Sequence, residues 1–295
     1  MPRQKIGTMQ HGSRLTAMAR DGKSHPVKPT WREKLFGFSV AVEMLSDRTR
    51  VFVAGHGIAA DEASAVFFEK KRNGQRGKPV AVGDVALRQG ECLQPVVRGC
   101  IADPDAAAAL LRGVLEKSGA LAGFRGPRLV LAWSRCGNPD EAKKAWRDAA
   151  VRAGAREVYL VESPMAAMIG TGEDVTDGEV RMVLHAEEDA AEAALVRRAE
   201  LILSEILPPE CLADRVAALA ELAERCAQGV PPEERVSLAE HGIWLTGGET
   251  FLPGLRDAVA VRTGLPVHVP ENPELAVLFG MGRILDELAG IRHMP

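Results

Sequence analysis

Apolar residues fill most positions from 35 to 44 (LFGFSVAVEM) and again from 50 to 54 (RVFVA), with LSDRT between the two runs. Short apolar runs bounded by turn residues predict two strands joined as a hairpin, so a sheet should begin with an antiparallel pair. After a glycine-containing stretch, residues 101–119 change to helical spacing: Leu110, Leu111, Val114 and Leu115 share one face, Asp103 is a natural N-cap and Pro104 suits the first helical position. The run RLVLAW at 128–133 is apolar almost throughout, as expected of a strand covered on both faces. Residues 139–152 predict a second helix, with Asn138 as cap, Glu141 three residues on and Gly154 as its stop. A strand at 157–161 (EVYLV) follows at once, so this strand, helix, strand order implies a parallel crossover in an α/β fold.

Farther on, the pattern predicts a strand at 180–185, a long helical zone at 187–228, a strand at 243–246, a helix at 253–263, a strand at 267–269 and a helix at 274–287. No internal repeat is visible. Before position 35 no period of 2 or 3.6 is sustained, and residues 1–34 are polar, basic and broken by Gly and Pro, which predicts a flexible tail. The apolar residues around Leu15 to Met18 are too sparse for an amphipathic membrane anchor.

Composition narrows the class. A chain of 295 residues with 46% hydrophobic content can bury a substantial core, and a formal net charge of −3 gives no general attraction to nucleic acid or an anionic membrane. The five cysteines, Cys92, Cys100, Cys136, Cys211 and Cys226, are widely spaced and form no CxxC pair, which fits a reducing compartment better than a zinc or dithiol site. Neither a secretory leader core nor a run of about 20 apolar residues occurs, so the reading is a cytoplasmic protein. HGxxxDE from His56 to Glu62 lacks the helical histidine pair of a zinc protease, and Cys136, between a strand and a helix start, reads as an ordinary loop cysteine.

Two separated blocks, AGAREVYLVESPMAAMIGTG at 153–172 and GIWLTGGETFLPGLRDAVAVRTGLPVHVPENPELAVLFGMGRILDEL at 242–288, resemble segments of the MreB type of bacterial actin. PVVRGCIAD at 95–103 resembles the family's connector into its first crossover helix, and VEMLSDRTRVFVAGHGI at 42–58 sits where the family has its first phosphate loop. The resemblance implies an α/β, actin-like (ribonuclease-H-like) fold of mixed sheets flanked by helices. It divides the chain into a tail at 1–34, a first subdomain at 35–172 and a second, truncated one at 173–295. Only about 60 residues lie between His185 and Thr246, where the family spends well over a hundred. One subdomain is therefore expected to be missing, with the helical zone 187–228 in its place.

An actin-type ATP site closes two glycine-containing hairpins around the phosphates, because a side chain at the turn would fill the volume the oxygens need. The positions matching the first loop read Glu43, Leu45 and Ser46, with Arg48 behind, and Leu45 stands where glycine is expected. Arg48 is a candidate phosphate cation but more simply a solvated hairpin residue. The second loop reads His185, Ala186, Glu187, Glu188, Asp189, Ala190, without a glycine. Its carboxylates would repel a triphosphate, each like-charge pair costing about 4 kcal/mol at about 4 Å near a protein surface. The plainer account is a charged helix start near Glu187. The position of the water-orienting carboxylate aligns with Ala142, and no catalytic residue is assigned. Gly247, Gly248, Glu249 and Thr250 keep the double glycine of the family's adenosine motif, which otherwise reads as a tight strand-to-helix turn.

The resemblance thus implies a cytoskeletal or scaffold protein of cell shape or intracellular organisation, with weak or absent ATP hydrolysis. Its expected cofactor is none, or weakly bound ATP or ADP, and no metal site is expected. Its partners would be proteins, a full-length actin-like filament or itself, with no nucleic acid and only indirect membrane association. Two alternatives remain at this stage. One is an ATP-dependent polymerising relative, and the other a small actin-fold chaperone or reactivase of a metabolic compartment, since GGETFLPGL also resembles the heat-shock-70 turn.

Overall fold

The computed structural model describes residues 26–73, 75–135, 137–207 and 214–288. Most of the expected tail, with Cys136 and Cys211, lies outside them. The first element is a short helix, α1 (Trp31–Phe36), capped reciprocally by Thr30 and Glu33, where a strand from position 35 was expected. It crosses the boundary placed after residue 34. Upstream of it, the Val27 backbone N–H donates to the Ser118 carbonyl at 2.9 Å.

Strands β1 (Ser39–Met44), β2 (Arg48–Val53) and β3 (Gly57–Ala63) form an antiparallel meander, and β8 (Arg128–Trp133) and β9 (Glu157–Glu162) extend it in parallel to give the order β3-β2-β1-β8-β9. The parallel strands are joined through α4 (Pro139–Ala153), the crossover the sequence predicted. Between β3 and β8 lie the β4 (Val66–Lys70) and β5 (Arg76–Val82) ribbon, α2 (Asp84–Leu87), the short pair β6 (Val96–Val97) and β7 (Cys100–Ile101), and α3 (Pro104–Lys117). The Asp103 side chain accepts from the Ala106 N–H at 2.8 Å, as the cap reading required. Cys100 is disulfide-bonded, which the cysteine spacing did not signal; Cys92 and Cys226 are free thiols.

A second sheet repeats the plan. Strands β10 (Arg181–Ala186), β11 (Ala191–Arg197), β12 (Glu200–Ile206), β13 (Ile243–Thr246) and β14 (Val267–His268) take the order β12-β11-β10-β13-β14. As in the first sheet, three antiparallel strands precede two parallel ones. The long helical zone is thereby corrected: residues 187–206 are a turn and a β-hairpin, and the helix there is α6 (Arg215–Gln228), followed by α7 (Arg235–His241). Ala, Glu and Leu in this stretch favour helices, but Ala193 and Leu195 enter one apolar cluster while Ala194 and Val196 enter another. Burial on both faces with a period of two overrides local propensity. The turn itself, Arg198 and Ala199 with φ of 51° and 58°, has the backbone of a two-residue hairpin without its usual Asn-Gly signature. The sheet of the second half is complete; its brief part is the connection from β12 to α6, Leu207 to Asp214, against Ser64 to Asp103 at the corresponding place in the first half.

Each sheet carries a core on its outer face, against α3 and α4 in the first half and against α6 and α8 (Leu255–Thr263) in the second. A third apolar layer fills the space between the sheets, built on α5 (Ser163–Thr171) and α9 (Ala276–Leu288). Alternation serves both layers: Leu129 and Leu131 of β8 face outward into α3 and α4, while Val130 and Ala132 face the shared layer. Among the described residues no helix is long and apolar enough to cross a membrane.

α5 and α9 touch backbone to backbone. A Cβ on Gly170 would lie 1.8 Å from the Ala276 carbonyl oxygen, and one on Gly280 would lie 1.8 Å from that of Ala166. Neither neighbour can yield without moving its helix. Gly170→Ala and Gly280→Ala should each lower stability by about 1–3 kcal/mol, the usual cost of overpacking, read from the denaturant midpoint. A midpoint within error of the parent for both would mean the helices are not in contact.

Candidate functional site

The tips of two equivalent hairpins, β1-β2 and β10-β11, face each other across the gap between the sheets. The first turns at Leu45 to Arg48, with the Leu45 N–H donating to the Arg48 carbonyl at 2.8 Å. The second turns through Glu187 to Ala190, closed by a bond of 2.8 Å from the Glu187 N–H to the Ala190 carbonyl. That turn corrects the expectation of a helix start near Glu187. The loops are thus where a phosphate clasp would lie, but no glycine occupies either tip.

Side chains fill the gap instead. The Ser46 hydroxyl donates to Asp189, whose carboxylate also accepts the Arg98 backbone N–H at 2.7 Å. Glu43 is buried beside Arg50, whose Nη1 donates to its carboxylate at 3.2 Å and to the Glu274 carbonyl at 2.9 Å. His185 is buried with Nδ1 3.1 Å from the Thr246 hydroxyl, and its Nε2 lies 3.8 Å from Glu187. Leu45 is half-buried and lines the cleft rather than filling the core. Glu188 points to solvent. Arg48 turns away to Asp61, at 2.7 Å, as a hairpin residue of the sheet surface does. Arg98 and Arg135 line the cavity, while Arg50 and Arg215 bond to groups at its edge, and none of the four was assigned to the site from the sequence. Arg50 is two positions beyond the candidate, and Arg215 lay inside the presumed helical zone.

The Gly247 to Thr250 segment abuts this gap. Gly247 has φ 93°, and a Cβ there would lie 2.2 Å from the Ala186 carbonyl oxygen, so glycine is required by the approach of the turn to β10. The Gly248 N–H donates to Glu187 at 3.1 Å. Glu249, on a short 3-10 turn, is held by Arg215 at 2.7 Å, and the same guanidinium donates to the Glu187 carbonyl, also at 2.7 Å. The Thr250 hydroxyl is buried without a partner among the described residues. Ala142 packs against the first core, and Glu141 on the exposed start of α4 lends its N–H to the Asn138 cap.

Burial dominates the electrostatics. It pushes the carboxyls of Glu43 and Glu187 up to about 7, against the pull of Arg50 on each; the Glu187 carboxylate raises Glu43 further, and Asp47 and Glu249 raise Glu187. It also pushes Glu192, on β11, up to about 7 and holds the His185 imidazole down at about 4. The gap that remains is a cavity of about 50 Å³, room for a few waters and far below the roughly 300–1,000 Å³ of small-molecule pockets. A triphosphate with its magnesium does not fit this donor set: the tips are tied to each other, and carboxylates line the space between them. Among the described residues no group of three His, Cys, Asp or Glu side chains is placed to hold a metal ion.

The comparisons with known proteins agree with this architecture. The MreB/Mbl protein family model matches residues 38–208 and 193–293. The cell shape-determining protein Mbl of Bacillus subtilis is 23% identical over 86% of this chain and 97% of its own length. MreB of Escherichia coli is 25% identical over 85% of this chain and 94% of its own. The Mbl alignment extends over 329 positions, more than the 295 residues of this chain, so part of the relative has no counterpart here. Among solved structures, MreB5 of Spiroplasma citri bound to AMPPNP superposes with a TM-score of 0.73 at 15% identity, covering 87% of this chain and 98% of that one. The ethanolamine utilization protein EutJ of Carboxydothermus hydrogenoformans superposes at 0.55, also at 15% identity, over 92% of this chain and 96% of that one.

The raised carboxyls set a pH dependence. Glu43, Glu187 and Glu192 go from an ordinary 4.5 to about 7 on folding, so the folded chain holds their protons longer. Their favourable share is complete below 4.5 and is lost as pH rises through about 7. His185 has the opposite sign, its share being present above 6.5 and lost as pH falls towards about 4. Three groups outweigh one, so the melting temperature should fall between pH 5 and pH 8. Glu187→Gln, which keeps an acceptor for the Gly248 N–H, should flatten that fall and melt higher than the parent at pH 8. Equal slopes in thermal scans of the two proteins would show that Glu187 carries no proton in this range.

Proposed function

Because the chain belongs to the MreB/Mbl family, we propose that it is a cytoplasmic, actin-like scaffold acting in cell shape, as the names of its relatives describe, and that it does not turn over ATP. The observation that carries the reading is the gap between the hairpins, where Ser46 meets Asp189 and a cavity of about 50 Å³ remains. The positions that would cradle phosphate, Glu43, Leu45, Ser46, His185 and Glu187, are occupied by side chains with other partners, and Ala142 offers no carboxylate to orient water. Gly247 is accounted for by its contact with Ala186, so the motif does not by itself argue for adenosine.

The shortness of the chain belongs to the same proposal. The connection at residues 207–214 is the place where the second half would lack a lobe, and the family model matches the chain in two segments, residues 38–208 and 193–293, instead of one. A protein reduced in this way would join a filament of a full-length relative, or copies of itself, through the surfaces it keeps. The likeness to an AMPPNP-bound MreB5 favours a second reading, nucleotide-driven polymerisation, which requires the hairpins to part.

Phosphate release and sedimentation, each with and without magnesium and ATP, decide between them. The proposal expects release no greater than in the protein-free control, and sedimentation that nucleotide does not alter. Gly247→Ala is unsuitable as a control because it would disrupt the turn. Magnesium-dependent turnover, or pelleting driven by ATP, would establish the second reading.

A further inference from the structure

We propose that the Asp189 carboxylate is an internal latch that holds the two halves closed across the cleft without any bound ligand. The inference rests on the reading of the cleft given above and extends it from what the cleft fails to bind to what keeps it shut. Asp189 is at the tip of the second-half hairpin, and both of its donors come from the first half: the Ser46 hydroxyl on the opposite tip and the Arg98 backbone N–H on the β6-β7 turn. Arg98 has φ 53°, a left-handed conformation that a non-glycine residue takes up at a cost. An anion that collects one hydroxyl and one backbone N–H from the facing half bonds as a ligand oxygen would, but it is tethered to the chain. Its effective concentration never falls, so closure needs no second molecule.

A second tie lies deeper on the same hairpin. Glu192, buried on β11, accepts the Ser204 hydroxyl of its own sheet, and the backbone of Arg135, two residues beyond β8 in the first half, lies near enough to favour its charged form. Charged groups face this region from every side: Glu43, Arg50 and Asp47 from the first hairpin, His185 and Glu187 from β10 and its turn, and Glu249 with Arg215 from the neighbouring turn and helix. Glu187 repels Glu43 and Asp47 across the cleft but is attracted by Arg50, which also donates to the Glu274 carbonyl. Without the latch the hairpin tips would therefore loosen while Arg50 still bridged the halves. The shared layer of α5 and α9 would still join the two halves.

Hydrogen exchange on the full chain tests this. In the parent, amides at 44–48, 97–99 and 187–190 should exchange slowly without nucleotide. Asp189→Ala should speed exchange in all three segments by roughly tenfold or more, the worth of hydrogen bonds to a charged acceptor, while 165–171 and 276–285 keep their protection. Ser46→Ala, which removes one hydroxyl from a partly exposed tip, should give a smaller rise at 187–190 and guards against an Asp189 variant that simply misfolds. Unchanged exchange at 44–48 and 97–99 in a folded Asp189→Ala, or at 187–190 in Ser46→Ala, would overturn the latch. Adding magnesium-ATP to the parent separates the two ideas. Hydrolysis would end the scaffold reading, whereas the latch stands or falls on the variants alone.

Discussion

Two helices that touch through glycine hold this molecule together. Where α5 crosses α9, Gly170 meets the Ala276 carbonyl and Gly280 meets that of Ala166, closer than any side chain would allow. That approach lets both inner sheet faces reach one shared apolar layer, with Ala41 and Val130 entering from one side and Val183 and Ala194 from the other. Everything at the cleft follows from it. With the helices farther apart, the tips of the two hairpins would not come within hydrogen-bonding distance, and Arg50 would not reach the carbonyl of Glu274 just before α9.

The cleft then combines burial with charge of one dominant sign. Two carboxyls, Glu43 and Glu187, sit near each other beside the Arg50 guanidinium, and burial keeps both hard to ionise. A site meant for a polyanion would present donors there. This one presents mainly acceptors, some engaged by the chain's own donors and others, Glu187 Oε1 and Glu192 Oε2, buried without a hydrogen-bond partner among the described residues. Arg50 Nε within this network, and the Thr250 hydroxyl and a Glu274 carboxylate oxygen in the segments leading to α8 and α9, are also buried without a hydrogen-bond partner among the described residues.

Much of this was legible in the sequence because several elements carry their signals locally. RLVLAW had to be a doubly covered strand, Asp103-Pro104 had to begin a helix, and IWLT proved to be β13 at the positions expected. The positions of both hairpin tips were legible by family resemblance. The failures share one cause, which is dependence on distant partners. β11 is written in helix-forming residues and becomes a strand only because β10 and β12 flank it, while its turn uses Arg198 and Ala199 where glycine or asparagine would have given warning. Arg48, the one arginine weighed for the site, reads more simply as a hairpin residue and pairs with Asp61 thirteen residues on, while Arg50 on the same strand, which was not weighed, reaches Glu43. Arg215 could be placed only once the residues before it were known to be strand rather than helix.

The two sheets share one strand order, yet the first carries a ribbon, a short helix and a short strand pair between β3 and α3 where the second has only residues 207–214 between β12 and α6. Neither connection lends a strand to either sheet. What is attached at that point adds no strand to the described sheets, so its length can change without disturbing a ladder, although in the first half its Val66 and Val96 also enter the outer core. A lineage can remove or enlarge such an appendage as a single evolutionary event, altering the outline that neighbouring molecules meet while inheriting both sheets intact. In this chain the second-half appendage is the reduced one, so the asymmetry of its outline is a trait on which selection can act separately from folding.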